Sequence, residues 1–239
     1  MTEVQWLTCT DPMPMLEFLR DKTSDRKLRL FACACCRRIL RFIRHSQSRE
    51  ALDFAERFAD GLARKKELTA TRLALTQALE LRTKLSQTVA STVYSTLHDN
   101  AQGAAEETVE VTMSVGLTRK ERQVKKPASF HEAAALSARE LKALIEATLG
   151  RNRKAQCVLL RDIVGNPFRP LAEEPAWRTA KVVALAQAIY ERRAFARMPA
   201  LADALERAGC ADATMLAHCR GRGPHARGCW LLDAILERG

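Results

Sequence analysis

Apolar residues recur at helical spacing along most of the chain. Between about residues 25 and 45 they fall three and four positions apart, opposite a face rich in arginine, which predicts an amphipathic helix. Similar spacing predicts helices over about 12–19, 48–62, 67–98, 129–149, 153–164, 179–193 and 199–209, with two shorter ones flanking residues 221–223. We therefore expect an all-α fold, a helical bundle or irregular array of about eight to nine helices.

Capping residues mark several of these predicted helix starts. Asp11 comes just before a proline, and Ser24 and Thr179 come just before apolar periodic runs. Ser129 is followed three positions later by Glu132, which is the spacing of a capping box. Each position offers an oxygen that can accept a hydrogen bond from a free N–H of the first helical turn.

Helical periodicity fails over residues 99–128. The segment contains Asn100, Gly103, Gly116 and Pro127, and we interpret it as a linker or flexible crossing, with an Ala-rich helix through 101–113 as the alternative. This interpretation divides the chain into an N-terminal helical region (1–98), the variable linker (99–128) and a C-terminal helical region (129–239).

Two further breaks are expected in the C-terminal region. Gly150 is predicted to end the helix over 129–149, because glycine is common just past a helix end. The turn from Gly165 to Pro170 contains two prolines, which oppose helical structure.

Composition supports a folded protein. Hydrophobic residues make up 47% of the chain and aromatic residues only 5%, which excludes disorder throughout and favours helices packed through Ala and Leu. The first residues lack the basic start and apolar core of an export signal, and no apolar run is long enough for a bilayer. We expect a cytoplasmic protein without membrane contact, whose eight cysteines are reduced.

The net charge of +11 raises the possibility of nucleic-acid binding. The positive excess is spread along the chain, and the basic groups are short, so each also fits an ordinary solvated helix face. The segment 119–126 holds one such group. The other candidate for contacting phosphates is a set of four arginines on the second predicted helix: Arg37, Arg38, Arg41 and Arg44.

Two histidines and two cysteines near the C-terminal end form a candidate zinc site. They are His218, Cys219, His225 and Cys229, and they surround a glycine-rich turn that would let four ligands converge. The spacing is not that of a common zinc finger, and adjacent ligands such as His218 and Cys219 suit one ion poorly. The alternative is that both cysteines are small buried residues and that His225 is hydrogen-bonded near a helix start.

Other chemistry has weaker support. Cys33 and Cys36 share a helix face but lie in mid-helix, where no helix dipole lowers a thiol pKa, so core packing is favoured over a redox pair. A Cys-His-Asp hydrolase would need Cys219 or Cys229 with His225 and Asp233, without any family signature. Because no phosphate-binding loop, dinucleotide fingerprint or paired-carboxylate motif occurs, we favour a non-enzymatic protein without a catalytic site.

Four segments resemble a large paralogous family of bacterial proteins with no assigned activity. They are TEVQWLTCTDP (2–12), KLRLFACACCRR (27–38), LLRDIVGNPFRP (159–170) and HARGCWLLD (225–233), whereas residues 63–128 hardly match. The resemblance implies an interaction or regulatory role rather than a metabolic one. We therefore expect a helical interaction module with a protein partner, and keep nucleic-acid binding and a small C-terminal zinc site as alternatives.

Overall fold

The computed structural model describes residues 1–40, 43, 45–80, 91–124, 138–169 and 176–239. These residues form α-helices, one 3₁₀ turn and the connections between them, and none of them lies in a strand. The predicted all-α class is therefore confirmed. None of the described helices is long and apolar enough to cross a membrane.

The helices range from six to 27 residues in length, and residues 91–96 are helical as well. In chain order they are α1 (Glu3–Thr8), α2 (Pro12–Leu19), α3 (Asp25–Arg38), α4 (Ser46–Ala59), α5 (Lys65–Glu80), α6 (Ala101–Val124), α7 (Ala138–Val164), α8 (Ala180–Arg192), α9 (Met198–Arg207), α10 (Ala213–Arg220) and α11 (Trp230–Leu236).

Three of the predicted caps are confirmed by their hydrogen bonds. The Asp11 side chain accepts from the backbone N–H of Met13, and Ser24 and Thr179 accept from the third residue beyond each of them. The proposed capping box at Ser129 and Glu132 lies outside the described residues, as does Pro170.

The linker predicted for residues 99–128 is wrong over its described part, because Ala101–Val124 is one continuous helix. The Asn100 side chain accepts from the Gly103 backbone N–H at 2.9 Å, as an N-cap residue does. Ala104 and Ala105 are fully buried, and α6 packs against α3. Small side chains allow this close approach, so the alternative reading of an Ala-rich helix was the correct one.

Gly150 does not end a helix, contrary to the prediction, since α7 continues through it from residue 138 to residue 164. A glycine inside a helix costs about 1 kcal/mol relative to alanine. The flanking turns offset that cost by burying Gln156 and Cys157. The Gln156 side chain also donates to Val109 O at 3.1 Å and Thr112 Oγ1 at 2.8 Å, both on α6.

The chain divides into two compact units whose boundaries differ from the predicted regions. The central unit comprises Cys9–Cys157, and the C-terminal unit combines Met1–Thr8 with Val158–Gly239. The first helix therefore belongs with the last third of the chain. The predicted boundary at 99–128 lies within the central unit.

Helix α3 is the innermost helix of the central unit, where every residue from Leu28 to Cys36 is buried. Arg29 is among them, and its guanidinium donates to His98 O at 2.7 Å and Asp99 O at 2.6 Å. These carbonyls follow the helical segment 91–96, so a buried charge is compensated by backbone acceptors at a helix end.

The core of the C-terminal unit lies among α8, α9, α10 and α11. Its largest fully buried side chain on these helices is Tyr190, and Cys219 and Cys229 are buried in the same cluster. All three tryptophans of the chain, Trp6, Trp177 and Trp230, belong to this unit. Tryptophan fluorescence therefore reports on this unit alone.

Candidate metal centre

Four side chains with metal-binding atoms converge in the C-terminal unit: Asp162, His218, His225 and Cys229. One donor atom from each lies within 4.8 Å of all the others. His218 Nε2 is 3.1 Å from Cys229 Sγ and 3.4 Å from Asp162 Oδ1, and His225 Nδ1 is 2.9 Å from that same oxygen. We call these four residues the Asp-His-His-Cys cluster.

The cluster is assembled from two helix ends and the loop that follows one of them. Asp162 lies in the last turn of α7, and His218 lies in the last turn of α10, which Asp212 caps at its other end. His225 and Cys229 belong to the non-helical segment 221–229, so they are not one helical turn apart as a helix beginning at Pro224 would have placed them.

Gly228 gives this loop the turn that brings Cys229 inward. Its φ of +86° is in the left-handed region, which a residue with a Cβ adopts only at a cost. Ala226, two residues earlier, donates its backbone N–H to Asp162 Oδ2 at 2.9 Å. That bond fixes the second carboxylate oxygen and leaves Oδ1 directed towards the two histidines.

The cluster is buried. The Asp162 side chain is only 3% exposed, the His218 side chain is 18% exposed, and Cys229 is fully buried. His225 Nε2 is also buried and has no hydrogen-bond partner among the described residues. It is the ring nitrogen that does not face Asp162, since the 2.9 Å contact is made by Nδ1.

The protonation state of His218 suits metal ligation. Burial lowers the pKa of His218 to about 4, although the nearby Asp162 carboxylate acts in the opposite direction. The imidazole is therefore neutral at pH 7. A neutral ring keeps the lone pair that a metal ion requires.

The hydrogen-bond geometry differs from that of a catalytic relay. In a nucleophile-histidine-acid relay, one ring nitrogen faces the nucleophile and the other faces the acid. Here the same nitrogen, His218 Nε2, faces both Cys229 Sγ and Asp162 Oδ1. A carboxylate oxygen and a cysteine sulfur directed at one point are donor atoms of the kind that a metal ion takes.

Three of the donor distances can be compared directly with those of a tetrahedral ion. With zinc-ligand bonds of about 2.0–2.3 Å, neighbouring donor atoms in a tetrahedron lie roughly 3.3–3.6 Å apart. Three of the six separations in the cluster are 3.1, 2.9 and 3.4 Å, and none of the six exceeds 4.8 Å. Adjustments of up to about one ångström, outward for the short pairs and inward for any longer ones, would bring the donors to tetrahedral spacing.

Three of the four ligands predicted from the sequence are brought together, and the fourth is replaced. Cys219 follows His218 directly, but it is fully buried in the apolar cluster, and burial raises its thiol pKa to about 12. His218 and Cys219, which are adjacent in the sequence, therefore do not both have to bind the same ion. Asp162 takes the fourth position, while Asp233 is a buried residue of α11.

Sequence reasoning missed Asp162 because it precedes His225 by 63 residues. One local signal could have found it. Asp162 lies among the apolar residues Leu159, Leu160 and Ile163 of a predicted helix. Because a buried aspartate requires a partner, this position indicates a specific interaction.

Comparison with models of protein families, with curated proteins and with solved structures found no match to this chain.

Among the four arginines predicted to bind nucleic acid, Arg37 is already paired with acidic side chains. Arg37 pairs with Asp53 and donates from Nε to Glu56 Oε1 at 2.9 Å, so two carboxylates neutralise it. Arg38 is exposed, whereas Arg41 and Arg44 lie outside the described residues. Arg37 therefore serves to join α3 to α4.

The cysteines of α3 are buried core residues. Cys33 and Cys36 lie in the apolar cluster of the central unit, and burial raises the pKa of both thiols well above the usual value. Cys36 Sγ donates to Thr92 O at 3.1 Å. Protonated, inaccessible thiols have no redox chemistry at neutral pH.

Acidification should destabilise the metal-free C-terminal unit through His218. Its pKa is about 4 when folded and 6.5 ordinarily, so the unfolded chain takes up a proton first as the pH falls below about 6.5. The contribution of His218 to the free energy of unfolding is fully present above that pH and decreases by about 3 kcal/mol as the pH falls to 4. Asp162, His225 and Cys229 are the polar groups that face the ring.

The measurement is urea unfolding of chelator-treated protein between pH 7 and pH 4, followed by tryptophan fluorescence. The His218→Gln variant should show a shallower pH dependence by about that amount, whereas His98→Gln, an exposed histidine of the central unit, should match the wild type. Equal slopes for His218→Gln and the wild type would refute the assignment.

Proposed function

We propose that this protein is a helical binding module whose C-terminal unit holds one zinc ion through Asp162, His218, His225 and Cys229. The observation that carries the proposal is the convergence of four donor atoms within 4.8 Å in a buried place. The ion would tie the ends of α7 and α10 to the loop before α11. Its role would be structural.

The donor set favours zinc over other common ions. Two imidazoles, one thiolate and one carboxylate are soft to intermediate ligands, which suit zinc and oppose magnesium or calcium. Four protein ligands complete a tetrahedron and leave no open coordination position for a substrate. A closed site supports a stabilising ion and a function in binding rather than in catalysis.

Zinc content tests this proposal. Protein purified without an affinity tag or chelator should contain one zinc per chain, and His225→Ala and Cys229→Ala should each lose most of it. The matched control is Cys219→Ala, which removes a buried cysteine next to His218 but leaves the cluster intact.

Cobalt provides a second readout that does not depend on how the protein was purified. Cobalt added to metal-free protein should give the visible absorption of a tetrahedral centre and a thiolate charge-transfer band. The band should disappear in Cys229→Ala and persist in Cys219→Ala. Wild-type protein that binds neither zinc nor cobalt at neutral pH would overturn the proposal.

A further inference from the structure

Helix α1 is attached to the end of α7 by a small set of specific bonds. Trp6 is fully buried, and its ring N–H donates to Gly165 O at 3.0 Å. Arg161 Nε donates to Trp6 O at 2.9 Å, and Asn166 Nδ2 donates to Glu3 Oε1 at 2.7 Å. One aromatic anchor and its polar contacts therefore hold the helix in place.

Little within this helix itself keeps it folded. It has six residues, whereas isolated helices shorter than about 12–15 residues are marginal in water. Val4 and Leu7 are 70% and 52% exposed, so they add little buried surface. The stability of the helix therefore depends on Trp6 and its polar contacts.

The docking site and the Asp-His-His-Cys cluster share the end of α7. Arg161, which binds the backbone of α1, is followed directly by Asp162 of the cluster. Gly165, which accepts the Trp6 N–H, lies three residues further on. An ion that fixes the Asp162 carboxylate therefore restrains the same turn that carries the docking groups.

A second connection runs through Trp230. Gly165 has a φ of +78°, and a Cβ at this position would lie 3.0 Å from Trp230 Cγ, so the indole packs directly on the glycine. That indole also contacts His218, with ring centroids 5.0 Å apart. A continuous series of contacts therefore connects Trp6 to His218 through Gly165 and Trp230.

We propose that zinc at the Asp-His-His-Cys cluster and docking of α1 are coupled, so that the ion holds α1 in place and its loss lets α1 detach. This inference rests on the proposed zinc site and adds a regulated element to it. By linkage, detaching α1 weakens zinc binding by the same factor that zinc strengthens docking. Couplings of this kind are typically about 5–150-fold.

Hydrogen exchange on the full chain tests the first half of the coupling. The amides of residues 4–8 should exchange at least about fivefold more slowly with saturating zinc than with chelator. Amides of α3 in the central unit provide the internal control and should be unchanged. Protein that holds stoichiometric zinc but shows unchanged exchange at residues 4–8 would overturn the coupling and leave the zinc site standing.

Zinc affinity tests the reciprocal half, measured by competition with a chromophoric chelator. Trp6→Ala should weaken zinc binding at least about fivefold, and Leu7→Ala, an exposed residue of the same helix, should leave it unchanged. Glu3→Gln is the milder variant if Trp6→Ala fails to fold, and it should weaken binding less. Wild-type affinity in a folded Trp6→Ala refutes the coupling, whereas no zinc binding by the wild type refutes the proposed function itself.

Discussion

Saturating zinc should raise the thermal unfolding midpoint of the C-terminal unit by roughly 15–30 °C, compared with protein in chelator. A ligand at 1,000 times its dissociation constant stabilises the folded state by about 4 kcal/mol. In a unit of about 90 residues, each kcal/mol moves the midpoint by about 4–8 °C. Tryptophan fluorescence isolates the transition, because Trp6, Trp177 and Trp230 all lie in this unit.

The comparison is made within each variant, between zinc and chelator, so that a change in the metal-free baseline cancels. Cys229→Ala should lose nearly all of the zinc-dependent shift, and Cys219→Ala should keep it. Magnesium should produce no shift in any protein, because its preferred ligands are oxygens. Equal midpoints for the wild type in zinc and in chelator would contradict the prediction.

Removing Glu56 should destabilise the central unit by about 3 kcal/mol, the lower end of the range for breaking a buried ion pair. The Glu56 side chain is 4% exposed and accepts from Arg37, so Glu56→Ala leaves a guanidinium without its buried partner. Arg37 is partly open to water, which limits the loss. The measurement is the urea unfolding midpoint followed by helical circular dichroism.

Asp53→Ala is the matched control for Glu56→Ala. Asp53 pairs with the same guanidinium, but its side chain is 54% exposed, so its removal should cost about 1 kcal/mol or less. Replacing both members of the pair with apolar residues, Arg37→Met with Glu56→Leu, should recover much of the lost stability. A larger effect for Asp53→Ala than for Glu56→Ala would contradict the assignment of roles.

The helices could be predicted where the deciding information is local. Apolar spacing located most of them, and Asp11, Ser24 and Thr179 are caps because a side-chain oxygen within three residues satisfies a backbone N–H. The predictions for residues 101–124 and Gly150 are wrong because tertiary contacts determine these two segments. Burial against α3 and the hydrogen bonds of Gln156 to α6 keep them helical, and the pattern of residues along the chain does not reveal such contacts.

The candidate site shows the same limit. His218, His225 and Cys229 could be grouped because they lie close together in sequence, yet nothing local distinguishes Cys229 from Cys219. The position of Cys229 depends on the loop through Gly228, whereas Cys219 is held within α10, and Asp162 comes from a different helix. Arg37 likewise looked available for phosphate until the fold placed Glu56 beside it.

The discontinuous C-terminal unit sets the order in which the chain can fold during synthesis. Residues 1–8 leave the ribosome before the central unit, but the pocket for Trp6 and the cluster ligand Cys229 are made some two hundred residues later. At about 5–20 residues per second, that interval is roughly 10–45 s. Residues 9–157 can fold within it, so residues 1–8 are made before the central unit but reach their native position after it.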